Sequence, residues 1–105
     1  MIARSWRASA TPDGAESYRD HFNRAVLPAL RRLEGWRGAY LLRRDHGDAV
    51  ELEVLTLWET MEAVVAFAGP SPEQAVVEPA AQAVLRDYDR TVVHRSVAVE
   101  ALGPQ

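Results

Sequence analysis

A chain of 105 residues has the size of one ordinary domain, long enough for a single core and too short for two. Hydrophobic residues make up 48% of it, which excludes a disordered chain, and a formal charge of −3 gives no general attraction to nucleic acid. There is no cysteine, so disulfides, thiolate catalysis and cysteine-ligated zinc are excluded, in keeping with a reducing compartment. No stretch approaches the roughly 20 apolar residues of a membrane span, and the opening Met1–Trp6 reads as a strand rather than a signal peptide, so the expected location is the cytoplasm.

Ile2–Ala8 alternates as a short strand, with Ile2, Arg4, Trp6 and Ala8 on one face. Thr11-Pro12-Asp13 is a helix start: a hydroxyl cap, proline at the first helical position and an acid facing the helix dipole. The helix is expected to reach about Leu33, with Tyr18, Phe22, Val26, Leu30 and Leu33 on its apolar stripe, a bend at Pro28 and a stop at Gly35. Trp36–Arg44 and Val50–Trp58 are the next strands, joined by the turn-forming Asp45-His46-Gly47-Asp48. A short helix follows from Thr60 to about Ala68, broken by Gly69-Pro70-Ser71-Pro72. Ser71-Pro72-Glu73-Gln74 carries a capping-box pattern and predicts a further helix to about Asp87. Thr91–Ala101 is the last strand.

The resulting order is β-α-β-β-α-β: an α+β, ferredoxin-like sandwich, one four-stranded antiparallel sheet with its helices on one face. The strands are apolar on both faces. Leu55 and Leu57 oppose Val54, Thr56 and Trp58; Ala39 and Leu41 oppose Tyr40 and Leu42; Val93 opposes Val92. Helices cover only one face, so the open face predicts a homodimer, with an apolar-faced monomer as the alternative.

Three stretches carry a family resemblance: the opening Ile2-Ala3-Arg4-Ser5-Trp6, the strand entry Gly35-Trp36-Arg37-Gly38-Ala39-Tyr40, and Leu55-Thr56-Leu57-Trp58-Glu59-Thr60-Met61-Glu62-Ala63 leading to Phe67. With them the chain resembles, over residues 1–100, the antibiotic biosynthesis monooxygenase family of dimeric α+β barrel proteins. The resemblance implies two sheets joined into a barrel and, in each subunit, a cleft between sheet and helices. In the family that cleft holds aromatic polyketide-like substrates, quinols or haem, and some members use oxygen with no metal or flavin. The haem-degrading branch carries an asparagine on its first strand and a ligating histidine about ten residues past the tryptophan. Here those regions show Ser5-Trp6 and Phe67-Ala68-Gly69, which speaks against haem degradation.

Oxygenation without a cofactor needs apolar aromatic walls, a base and a donor for a developing oxyanion. Parity within each strand, with the resemblance placing Trp58 in the cleft, puts Trp6, Tyr40, Thr56, Trp58, His94 and Ser96 on the helix-facing side. His94 is the expected base, because imidazole titrates near neutral pH. Tyr40 is an oxyanion donor, Trp58 an aromatic wall, and Arg4 a counter-charge for an anionic substrate. His21 and Phe67 border the cleft. Each has a plainer reading as packing, a satisfied polar group or surface. No histidine spacing supports a metal site and no cofactor motif is present. The third strand carries Glu51 and Glu53 where an RNA-recognition sheet has basic and aromatic residues, so no nucleic-acid partner is expected. Two functions remain: a cofactor-independent monooxygenase acting on a small aromatic or quinol-like molecule, or a module that binds a small apolar ligand without turnover, in sensing or stress protection.

Overall fold

The computed structural model describes residues 1–104. Strand β1 (Ile2–Ala10) is central, pairing antiparallel with β3 (Ala49–Trp58) on one side and with β4 (Asp87–Tyr88) and β5 (Val93–Ser96) on the other. Strand β2 (Trp36–His46) pairs with β3 and forms the outer edge. The sheet order is β2-β3-β1-β4, with β5 also on β1. This is the expected ferredoxin-like arrangement, its last strand delivered in two pieces. Between Ala8↔Tyr88 and Ser5↔Val93 the β4–β5 side carries two extra residues, and the chain there leaves the sheet.

The long helix forms as α1 (Pro12–His21), a π-helical turn (Phe22–Val26) and α2 (Leu27–Arg31). Thr11 caps it, its Oγ1 accepting from the Gly14 N–H at 3.0 Å. The π turn is the local answer to Pro28, which has no N–H and would crowd the preceding turn of a regular helix. Widening that turn lets the Leu27 N–H reach the Phe22 carbonyl instead. Gly35 then turns the chain at φ +83°, with its carbonyl accepting from the Glu59 N–H at 2.8 Å.

Helix α3 (Met61–Ala68) is capped by Thr60 and ends at Gly69, φ +89°. The helix expected over Ser71–Asp87 is a correction: only α4 (Pro79–Gln82) is helical. Glu73 closes a turn instead, and Gln74 and Ala75 run alongside Arg90–Val92. The Val92 N–H donates to Glu73, the Ala75 N–H donates to Arg90, and Gln74 bridges Thr91. Those backbone groups are satisfied by strand-like pairing, and Pro79 holds Glu78 in extended backbone, where it starts a helix rather than continuing one. The last strand is likewise shorter than Thr91–Ala101.

Two buried clusters lie between sheet and helices. One gathers Trp6, Tyr18, Phe22, Val50 and Leu52; the other is Leu30, Trp58 and Val64. Val26, Leu27 and Ala39 pack against both. Among the described residues no helix is long and apolar enough to cross a membrane.

Candidate functional site

Two cross-strand rows build the site. Thr56, Arg4 and His94 stand side by side on β3, β1 and β5, and Trp58, Ile2 and Ser96 form the next row. Trp58 ends β3 with no exposed surface, its Nε1–H donating to Thr56 Oγ1 at 2.8 Å. That bond satisfies the indole donor two residues back on the same strand face. Phe67, from α3, lies against Trp58 with ring centroids 5.3 Å apart.

Arg4 is 5% exposed, and its guanidinium sits 5.7 Å from the Phe67 ring centre. Its Nη1 donates to the Pro72 carbonyl and to His94 Nε2 at 3.0 Å, and its Nη2 donates to the Gln74 carbonyl at 3.1 Å. A guanidinium only donates, so His94 Nε2 accepts and the imidazole is neutral with its proton on Nδ1. Burial pushes the Arg4 pKa below its ordinary value. His94 is also held below its ordinary value, first by burial and second by Arg4, with Glu73 opposing. The site therefore joins a neutral base, a buried cation and an aromatic floor.

The other expected site residues fall elsewhere. Tyr40 is a correction: it is 54% exposed on the open face, opposite Leu55. A one-residue bulge between Trp36 and Gly38 reverses the parity of β2, so Ala39 and Leu41 face the helices in place of Tyr40. Trp6 faces the helices but donates from Nε1 to the Asp89 carbonyl at 2.8 Å and packs against Tyr18 and Tyr88 in the other cluster. His21 lies beside Tyr18, 3.9 Å from Glu78, and not in the Arg4–His94 group. Burial, then Glu78, raises the Tyr18 pKa far above its ordinary value. Ser96 has the right parity but is exposed.

Pro72 and Gln74 enter the site through their carbonyls, which no side-chain pattern announces. Trp36, opposite Trp58, has a buried Nε1–H without a partner among the described residues. A groove of about 430 Å³ runs between α1, the π turn and β2, floored by Phe22, Leu41 and Leu52 and rimmed by Glu16, Arg19 and Arg43. A wider hollow of about 630 Å³ lies at the sheet end formed by Arg7, Ser9, Arg44, Glu51 and Glu53.

No protein-family model and no curated protein matches the chain. Solved structures do match. A candidate antibiotic biosynthesis monooxygenase from Bacillus cereus is 13% identical with TM-score 0.67, over 99% of this chain and 97% of that one. A second candidate of that name, from Deinococcus radiodurans, is 14% identical with TM-score 0.63, over 100% and 99%. The haem degrader MhuD of Mycobacterium tuberculosis, solved with two haems in its active site, is 25% identical with TM-score 0.60, over 96% and 99%. The likeness spans the whole domain at low identity, and the chain has the fold of the antibiotic biosynthesis monooxygenase type.

Proposed function

We propose that this chain is a dimeric, cofactor-independent monooxygenase for a small aromatic substrate with an acidic C–H or O–H. The observation that carries the proposal is the neutral His94 Nε2 lying 3.0 Å from the buried Arg4 guanidinium, above the Phe67–Trp58 pair. A base held neutral at physiological pH can take a proton, and a cation beside it stabilises the anion left behind. For a ketone-activated CH₂ the balance is simple. The proton goes to Nε2 and the carbanion passes electrons to oxygen. A C–O bond forms, and loss of water leaves a carbonyl: one oxygen atom enters the product and the other leaves as water.

Haem does not fit these residues. The imidazole of the cluster holds its basic nitrogen against a buried cation, which would repel an iron centre of like charge. The chemistry therefore rests on the chain's own side chains. The dimer would form through the open face, where Tyr40, Leu42 and Val93 are exposed around Leu55 and Leu57.

An oxygen electrode tests the reading, with anthrone and substituted quinols as substrates and quinone formation read by absorbance. Turnover above the protein-free rate, falling by about 10²-fold or more in His94→Ala, is expected. Oxygen uptake equal to buffer alone across the panel would sink it. The complete burial of Trp58 favours a second reading, a ligand-binding module without turnover. In that case His94→Ala leaves binding and behaviour unchanged.

A further inference from the structure

Arg4 carries a positive charge into the protein, and no carboxylate among the described residues pairs with it. Interior arginines are ordinarily paired with an acid, often through two parallel hydrogen bonds. Among the described residues Arg4 forms no ion pair, and its acceptors are two main-chain carbonyls and an imidazole. The acids around it are engaged elsewhere: Glu53 accepts from Ser5 Oγ at 2.6 Å, Glu51 pairs with Arg44, and Glu73 acts on His94 without pairing with Arg4. The buried cation is solvated but not neutralised.

The carbonyls that hold it are unequally fixed. Gln74 lies in the stretch paired to Arg90–Val92 and is anchored to the sheet margin. Pro72 belongs to the turn after Gly69, where a Cβ would meet nothing within 4 Å. That turn keeps one internal bond, from the Gln74 N–H to the Ser71 carbonyl at 3.0 Å. The Pro72 carbonyl can therefore leave Arg4 without undoing a strand pairing.

We propose that Arg4 anchors a carboxylate on an aromatic ligand, which takes the guanidinium from the Pro72 carbonyl and from His94 Nε2. The inference builds on the site proposed above and adds the class of ligand and the order of events. In the free protein Arg4 occupies the lone pair that the base needs. Once Arg4 turns to the ligand's carboxylate, Nε2 is free, so recognition of the acid and exposure of the base become one step. The aromatic body of the ligand would lie against Phe67, the ring the guanidinium now covers.

Calorimetric titration of the full chain with 1-hydroxy-2-naphthoate and with 1-hydroxy-2-naphthamide separates charge from shape. The carboxylate should bind at least about tenfold more tightly. Arg4→Gln should abolish that preference, while the control Arg86→Gln on an exposed arginine should retain it. Equal affinity for the two probes, or a preference that survives Arg4→Gln, would overturn the proposal. If Arg4→Gln does not fold, the His94 ring resonances of the unmodified protein decide. The charged groups facing His94 are Arg4 from β1 and Glu73 from the 73–75 stretch. Saturation with the carboxylate, and not with the amide, should raise the His94 pKa, and an unchanged titration overturns the anchor. Tight carboxylate binding without oxygen uptake would refute the oxygenase and leave the anchor standing. Oxygen uptake on neutral substrates with no carboxylate preference would do the reverse.

Discussion

Replacing Trp58 with phenylalanine distinguishes a filled site from an open cavity. Trp58 has no exposed surface, touches Phe67 and gives its N–H to Thr56. The change leaves a void of roughly 40 Å³, worth about 1 kcal/mol at the cost observed for core cavities. Lost apolar burial adds about 1 kcal/mol. The hydrogen bond to Thr56 adds about 1 kcal/mol. The sum, about 3 kcal/mol, corresponds to a fall in Tm of about 15 °C for a domain of this size. Urea unfolding followed by far-UV circular dichroism measures it without relying on the lost fluorophore. Thr56→Val in the same background should be non-additive with Trp58→Phe by about 1 kcal/mol, because the two changes remove one shared bond. A loss below about 1 kcal/mol, with additive single changes, would mean that the indole borders a solvent-filled cleft, and the packing argument would fail.

Three further outcomes follow from the same geometry. The folded His94 pKa lies below its ordinary value of 6.5, so the unfolded chain binds its proton first as pH falls. Stability should be full above that value and decline as pH drops through it toward the folded pKa, and His94→Gln should flatten the decline in Tm measured from pH 7.5 to 5. Gly35→Ala should cost about 2 kcal/mol in urea unfolding, since φ is +83° there and the new Cβ would stand 2.7 Å from Ala63 Cβ; a loss within 0.5 kcal/mol would contradict the strain. Tyr40→Glu should leave the monomer fold intact and convert the proposed dimer to monomer in light-scattering chromatography, and a dimer persisting in the variant would argue against the open face as the interface.

The fold was legible where local chemistry and long-range packing agreed. Thr11-Pro12-Asp13 and Thr60 start helices because the hydroxyl caps they offer are the caps used. The apolar stripe from Tyr18 to Leu30 holds its side of the helix even through the π turn, because Pro28 changes the width of one turn and not the face that is buried. Strand β2 shows the opposite case. Its sequence alternates well enough, but alternation fixes two faces and not which one meets the helices. Nothing in Trp36-Arg37-Gly38 announces the extra residue at Arg37, and one residue is enough to exchange Tyr40 for Leu41.

The site was legible only in part, for a related reason. Arg4, Trp58, Thr56 and His94 come from strands whose parity follows from a single unbroken register, Arg4 opposite both Thr56 and His94. What holds Arg4, however, is main chain. Ser71-Pro72-Glu73-Gln74 is a good helix start by local rules, and in a helix the Gln74 carbonyl would be spent on an N–H four residues on. Two contacts override that preference. Pro79 ends any such helix within two turns, and Arg90–Val92, displaced from the sheet by the two extra residues before β5, presents unpaired backbone that residues 73–75 can satisfy. With Gln74 bridged to Thr91, its carbonyl turns toward Arg4, a buried cation that forms no ion pair among the described residues. The absence of a carboxylate partner for Arg4 and the failure of the Ser71–Asp87 helix are thus connected. A helix there would have withdrawn the Gln74 carbonyl, and a buried guanidinium stripped of such acceptors needs an anion in their place.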